Sequence, residues 1–210
     1  MAMIELKNVT KYYGRHKILD EINYLFQTGK VYLITGENGS GKSTLIKSIL
    51  KLISLTNGEI IVNTNQIGYV PEHIIFPEFV RVFPFLQKLA LIKKIDRFVV
   101  TDVVDFFLDF WDLYPYKRSF LKSLSKGMMQ KILIIQAFLG DPQLYVFDEP
   151  LNGLDKHSQM LFFKLIKEEK SRNKTILIST HYANYFRDFC DNLIKINQGR
   201  INEEHIKLSF

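Results

Sequence analysis

Residues 36–45 read GENGSGKSTL, with three glycines, a lysine, two serines and a threonine in ten positions. These residue types suit the chemistry of a polyphosphate anion. Gly39 and Gly41 let the backbone curl so that successive N–H groups aim at one anion. Lys42 carries a mobile positive charge for β- and γ-phosphates, and Ser43 offers a hydroxyl to Mg²⁺. Asn38, Ser40 and Thr44 extend the cradle that Gly36 opens. A helix starting just after the loop would add the partial positive charge of its N-terminus.

About a hundred residues later comes LYVFDEP, 144–150. An apolar run ending in Asp148-Glu149 puts two carboxylates at the end of a buried strand, where ligands sit in open α/β sheets. One carboxylate can hold Mg²⁺, directly or through water. The other can orient a water for attack on a γ-phosphate. Adjacent acids beside apolar residues repel each other and are costly to desolvate, so function is the better reason for them.

Such groups need a scaffold. VYLIT (31–35) is a short, wholly apolar run, as expected of a buried parallel strand, and it leads into the glycine loop. Apolar positions at Leu45, Ile46, Ile49, Leu50 and Ile53 have helical spacing, which predicts a helix over 42–53. Upstream, IELKNV and ILDEINYLF read as strands, the second closed by the turn QTGK. NGEI at 57–60 reads as a hairpin-type turn and QIGYV (66–70) as a strand. Residues 73–123 become rich in Phe, Leu, Ile and Lys and read as helical, with Thr101 as the cap of DVVDFFLDFWDL. Alternation then resumes: strand 143–148, helix 156–170, strand 175–180, a helix in YANYFRDFC, and a strand in NLIKIN. The pattern predicts an α/β fold with a parallel sheet.

Bulk properties narrow the field. The chain has 210 residues, enough for one large domain, and 47% hydrophobic content supplies a core. Its formal charge of +6 lacks an Arg-rich block of the kind a nucleic-acid arm carries, so no nucleic-acid partner is expected. The single cysteine, Cys190, excludes an internal disulfide and suits a reducing compartment, where it reads as a buried apolar residue. No run is long enough to span a membrane, and MAMIELKNV does not read as a secretory leader.

Taken in order, the motifs resemble the nucleotide-binding subunit of an ATP-binding-cassette (ABC) transporter over nearly the whole chain. LSKG (124–127) is similar to the family signature, NGLD (152–155) to the loop after the second Walker motif, and STH (179–181) to the switch histidine. Tyr13 in KYYG is similar to the aromatic that stacks on adenine. The resemblance implies a P-loop NTPase core, a small antiparallel β subdomain and a helical subdomain inserted at about 73–136. It implies an ATPase using ATP and Mg²⁺, with Lys42, Glu149 and His181 catalytic. Ser43, Asp148 and Glu72 would hold the metal. Tyr13, Gly36, Asn38, Gly39, Ser40, Gly41, Ser43 and Thr44 would contact nucleotide in one copy. Ser125, Gly127 and Asp155 would complete the site of a second, identical or different copy. Separate transmembrane permease subunits are the implied partners, which puts the chain on the cytoplasmic face of a membrane.

Two positions depart from the pattern. Glu72 stands where the family has Gln; it keeps a hard oxygen donor but adds a charge. The signature reads LSKGM, a form resembling exporters. The Phe-rich stretch 74–85 would lie near the permease contact. The alternative is an ABC ATPase acting on nucleic acid or ribosomes.

Overall fold

A computed structural model describes residues 1–73, 76–77 and 79–205, with side chains through Asn202. Two sheets form the frame. The larger runs β5 (Ile67–Val70), β6 (Leu144–Asp148), β7 (Thr175–Ser179), β3 (Val31–Thr35), β8 (Asn192–Asn197) and β9 (Arg200–His205). Its first five strands are parallel, and β9 folds back antiparallel on β8. The smaller sheet is antiparallel, in the order β2 (His16–Gln27), β1 (Ala2–Tyr13), β4 (Asn57–Val62).

The apolar runs sit where both sheet faces are covered. Every residue of β6 and β7 is buried. Their side chains alternate between two cores, as the two-residue period of a strand requires. Tyr145, Phe147, Ile176 and Ile178 face one core, with Val31 and Leu33. Leu144, Val146 and Leu177 face the other, with Tyr32 and Ile34. The first core is closed by α2 (Val82–Ile92), α3 (Val100–Phe110), α4 (Lys126–Phe138) and α5 (Lys156–Ser171). The second is closed by α1 (Lys42–Ile49) and by the inner face of the small sheet.

Four sequence expectations need correction. Residues 57–60 are not a turn but the start of β4, paired to β1 with Thr10 opposite Asn57. Gly58 is needed there because a Cβ would lie 2.3 Å from the Asn8 carbonyl, at a register shift in β1. Residues 183–190 form only a 3₁₀ turn, Ala183–Phe186. Phe186 and Phe189 lean on Phe163 with ring centroids 5.3 and 5.7 Å away, so their spacing reflects an aromatic cluster without a helix. Thr101 does not cap α3, since the helix begins at Val100. The turn before it is held by Asp96, whose Oδ1 accepts from the Phe98 N–H at 2.8 Å. The helix expected over 42–53 stops at Ile49. Cys190 is fully buried, and burial pushes its thiol up to about 11, so it stays protonated and apolar.

Candidate active site

Strand register assembles the site. Ser179, the last residue of β7, lies opposite both Asp148 at the end of β6 and Ile34 near the end of β3. The segments leaving β3, β5, β6 and β7 at their carboxyl ends therefore start side by side. They line a groove of about 250 Å³ with Tyr13, Ile18, Asn38, Gly39, Gly41, Lys42, Ser43, Thr44, Glu72, Asp148, Glu149 and His181.

The loop after β3 has the backbone its glycines predict. Gly39 and Gly41 have φ of 79° and 110°, in the left-handed region that glycine alone enters freely. Gly41 is also packed: a Cβ there would meet the Ile18 carbonyl at 3.0 Å and Leu19 Cδ2 at 3.1 Å. Gly36 and Ser40 are not among the lining residues of the groove; they pack on each other, since a Cβ on Gly36 would be 2.6 Å from Ser40 Oγ. Lys42 is 7% exposed. Its Nζ donates to the Gly36 and Glu37 carbonyls at 2.9 and 3.0 Å, which leaves one of its three donors for a ligand.

The two carboxylates occupy different environments. Asp148 is buried and Oδ1 accepts a short hydrogen bond from Ser179 Oγ, which fixes its orientation. Glu149 follows with φ of 50°, an uncommon conformation for a side chain of this size. Its N–H donates to the Ser179 carbonyl at 3.1 Å. Its Oε1 is buried and accepts no hydrogen bond among the described residues. His181 Nε2 is 3.2 Å from that oxygen, outside hydrogen-bonding geometry, and the His181 N–H reaches Oε2 at 3.4 Å. Burial raises the Glu149 carboxyl above its ordinary range; His181 and Lys42 oppose the rise, and Asp148 adds to it. A carboxylate tuned upward in a cleft is suited to take a proton from water.

The residues present fit a metal–nucleotide complex. The groove holds a lysine donor, a hydroxyl at a helix start, and carboxylate oxygens, one of which lacks a hydrogen bond. Tyr13 lies at its mouth, 48% exposed, with Lys11 Nζ 5.0 Å from the ring centre. Ile18 was missed in the sequence. It packs against Gly41 from a distant strand, its carbonyl 3.0 Å from where a Cβ there would lie, a contact that leaves no residue-type signal.

Ser125, Gly127 and Asp155 stand outside this groove, at helix starts. Ser125 Oγ caps α4 by accepting from the Met128 N–H at 3.2 Å. Asp155 Oδ1 caps α5 by accepting from the Ser158 N–H at 2.8 Å. The two caps are neighbours, because a Cβ on Gly127 would be 2.6 Å from the Gly153 carbonyl. Gln130 adds a link, its Nε2 donating to the Pro150 carbonyl at 3.0 Å.

Comparison with known proteins agrees with this geometry. Residues 19–152 match the ABC transporter family. An uncharacterized ABC transporter ATP-binding protein of Methanocaldococcus jannaschii is 34% identical over 94% of this chain and 75% of its own length. The Pasteurella multocida zinc import ATP-binding protein ZnuC is 33% identical over 94% of this chain and 74% of its own. A solved ATP-binding subunit of an ABC transporter superposes with a TM-score of 0.90 at 28% identity, covering 97% of this chain and 90% of that one. A dimeric cassette solved with ADP and phosphate shares the fold, with a TM-score of 0.88 at 23% identity over 98% and 99% of the two chains. With the cradle, the two carboxylates and the histidine in one groove, this chain belongs to the ABC transporter ATP-binding family and is an ATPase subunit.

Proposed function

We propose that this chain hydrolyses Mg²⁺·ATP to drive a membrane transporter whose spanning subunits are separate chains. The observation that carries the reading is the single groove joining Lys42, Ser43, Asp148, Glu149 and His181. Bound Mg²⁺ would shield phosphate charge, with Ser43, Asp148 and Glu72 as its protein oxygens. Lys42 binds the β- and γ-phosphates. Tyr13 stacks on the base. Glu149 orients the attacking water and holds its proton, while His181 keeps the carboxylate and the γ-phosphate in line. Single removal of a general base of this kind costs about 10²–10⁴ in rate.

The second half of each site comes from another copy. Ser125 and Gly127 start a helix whose N-terminal N–H groups suit a γ-phosphate, and within one chain they do not reach the groove. Closure of two copies, identical or different, would bring them there, with Asp155 beside them. A cassette of the same fold was solved as a dimer with ADP and phosphate bound, which supports pairing of two copies.

Among the described residues no helix is long and apolar enough to cross a membrane. The spanning subunits of this reading are separate permease chains, and this chain works on their cytoplasmic face. The docking surface lies before and along α2. Phe79 is 75% exposed with Lys122 Nζ 4.3 Å from its ring centre, whereas Phe83 is partly packed on the core under Lys117. Ile74, Ile75 and Glu78, also in that stretch, lie outside the described residues. The LSKGM signature supports export. Relatives are named for both zinc import and Nod factor export, so the permease decides direction.

The test is a pull-down of tagged protein from detergent-solubilised native membranes, with phosphate release measured on the purified chain or complex. A stoichiometric multi-span protein is expected, with Mg²⁺-dependent release above a Glu149→Gln control. Phe79→Asp should abolish recruitment and spare ATP binding. Ribosomal or nucleic-acid partners with no membrane chain would overturn the transporter assignment.

A further inference from the structure

The groove carries three carboxylates where a polyphosphate is to bind. Its lining sets Lys42 and His181, the latter 3.2 Å from Glu149, against the carboxylates of Glu72, Asp148 and Glu149. Among the described residues these acids do not close into a metal site by themselves: no three acidic, His or Cys groups converge tightly enough to hold an ion. Yet Glu149 is 5% exposed and its Oε1 is a buried acceptor without a hydrogen bond. A cation therefore lacks a full set of protein ligands, and a bare polyphosphate meets three carboxylates that Lys42 and His181 offset only in part. Each ligand supplies what the other needs.

Glu72 is the carboxylate best placed to make this dependence strong. It enters from a separate strand end, two residues past β5. Asp148 spends one oxygen on Ser179, and Glu149 is tied to the His181 N–H. The ion-pair partner of Glu72 is His73, 3.6 Å away on an 88% exposed side chain, which water screens well. Its charge is thus left to act on whatever enters the groove. A neutral amide there would offer an oxygen to a metal but no through-space repulsion of phosphate.

We infer that Glu72 makes nucleoside triphosphate and divalent cation bind this chain as an obligate pair, by repelling the metal-free polyphosphate and favouring its metal complex. The inference rests on the ATP reading above. At separations of several ångströms near a protein surface, one unit charge shifts such a balance by about tenfold.

The experiment measures Kd for a fluorescent N-methylanthraniloyl-ATP, once with Mg²⁺ and once with EDTA. It compares native protein, Glu72→Gln, Glu72→Asp, and Glu59→Gln as an equal charge change on β4 outside the groove. In Glu72→Gln the EDTA-to-Mg²⁺ ratio should fall about tenfold, chiefly through tighter metal-free binding. Glu72→Asp and Glu59→Gln should stay within about threefold of native, since the first keeps the local charge and the second changes only remote charge. Mn²⁺ titrated into ATP-loaded protein and read by electron paramagnetic resonance should bind more weakly to Glu72→Gln. An unchanged ratio in Glu72→Gln overturns the inference while leaving the ATP reading intact, as does an equal fall in Glu59→Gln. No Mg²⁺-dependent binding by native protein would sink the ATP reading and the inference with it.

Discussion

The groove at the strand ends and the paired helix starts at α4 and α5, which we propose serve the same ligand, differ in readiness. In the groove, Lys42 already rests on the loop carbonyls and Asp148 on Ser179, and the lining converges from four strand ends. At the helix starts, Ser125 and Asp155 are exposed and each spends its side chain capping its own helix. The first region is preorganised, so its chemistry depends on placement. The second is locally satisfied by its caps and lies outside the groove, so the contribution proposed for it depends on a second copy.

The comparison breaks most visibly in hydrolysis. Glu149→Gln should lower turnover by about 10²–10⁴ while Mg²⁺·ATP affinity stays within about threefold, because it removes proton transfer and not the cradle. Ser125→Arg should also abolish hydrolysis, by blocking approach of the second copy, yet leave single-chain ATP binding unchanged. Phosphate release beside a binding titration separates the two. If Ser125→Arg weakened binding as Lys42→Ala must, the helix starts would belong to the same-chain groove and the contrast would fail.

Stability should move the other way at Glu149. Its carboxyl is raised by burial, so the native state holds its proton more tightly than the unfolded chain does. The resulting destabilisation is absent below the ordinary carboxylate range, grows as pH rises through the raised value, and is complete above it. Glu149→Gln should therefore melt higher than native protein at pH 8 and lose that advantage at pH 4. A constant difference across pH would mean that the gain comes from packing and not from the buried charge.

Much of this contrast is legible in the sequence, and for a physical reason. Parallel strands buried on both faces must be wholly apolar, so VYLIT, LYVFD and TILIS stand out, and a polar residue just past each run must lie at a strand end. That logic leads to Asp148 and Glu149 without any knowledge of pairing, whereas Lys42 is found by its glycine loop and His181 by the resemblance of STH to a switch histidine. It fails where a residue type answers to a distant partner. Gly58 looks like a turn, but it is dictated by the Asn8 backbone on another strand. Phe186 and Phe189 have helix-like spacing because they pack on Phe163. β9 is polar and found only by its antiparallel partner β8. Which chain completes the site is equally unreadable from position, since Ser125 and Asp155 have local capping roles that satisfy them fully.

Capping gives a smaller test of the same contrast. Asp155→Ala removes an acceptor from the Ser158 N–H and should cost about 1 kcal/mol, seen as a melting point lower by roughly 2–4 °C at neutral pH. The Ser158 N–H chiefly holds the Asp155 carboxyl below its ordinary value. The ionised cap is therefore favoured above the ordinary carboxylate range, and its contribution is lost as pH falls through the depressed value. The gap between variant and native protein should narrow near pH 3. A gap that persisted there would mean the aspartate acts by packing.

The smallest effect carries a sign that decides between two readings of one residue. Thr101 has the residue type of a cap and sits ahead of an amphipathic run, but it lies exposed inside the first turn of α3. There it caps nothing and pays only the entropy of a β-branched side chain in a helix. Alanine is the better helix former, so Thr101→Ala should raise stability by about 0.3 kcal/mol. Loss of a true cap would instead lower it by about 1 kcal/mol. Chemical denaturation resolves a difference of that size between the two outcomes, and a destabilised Thr101→Ala would move the start of α3 to where the sequence alone puts it.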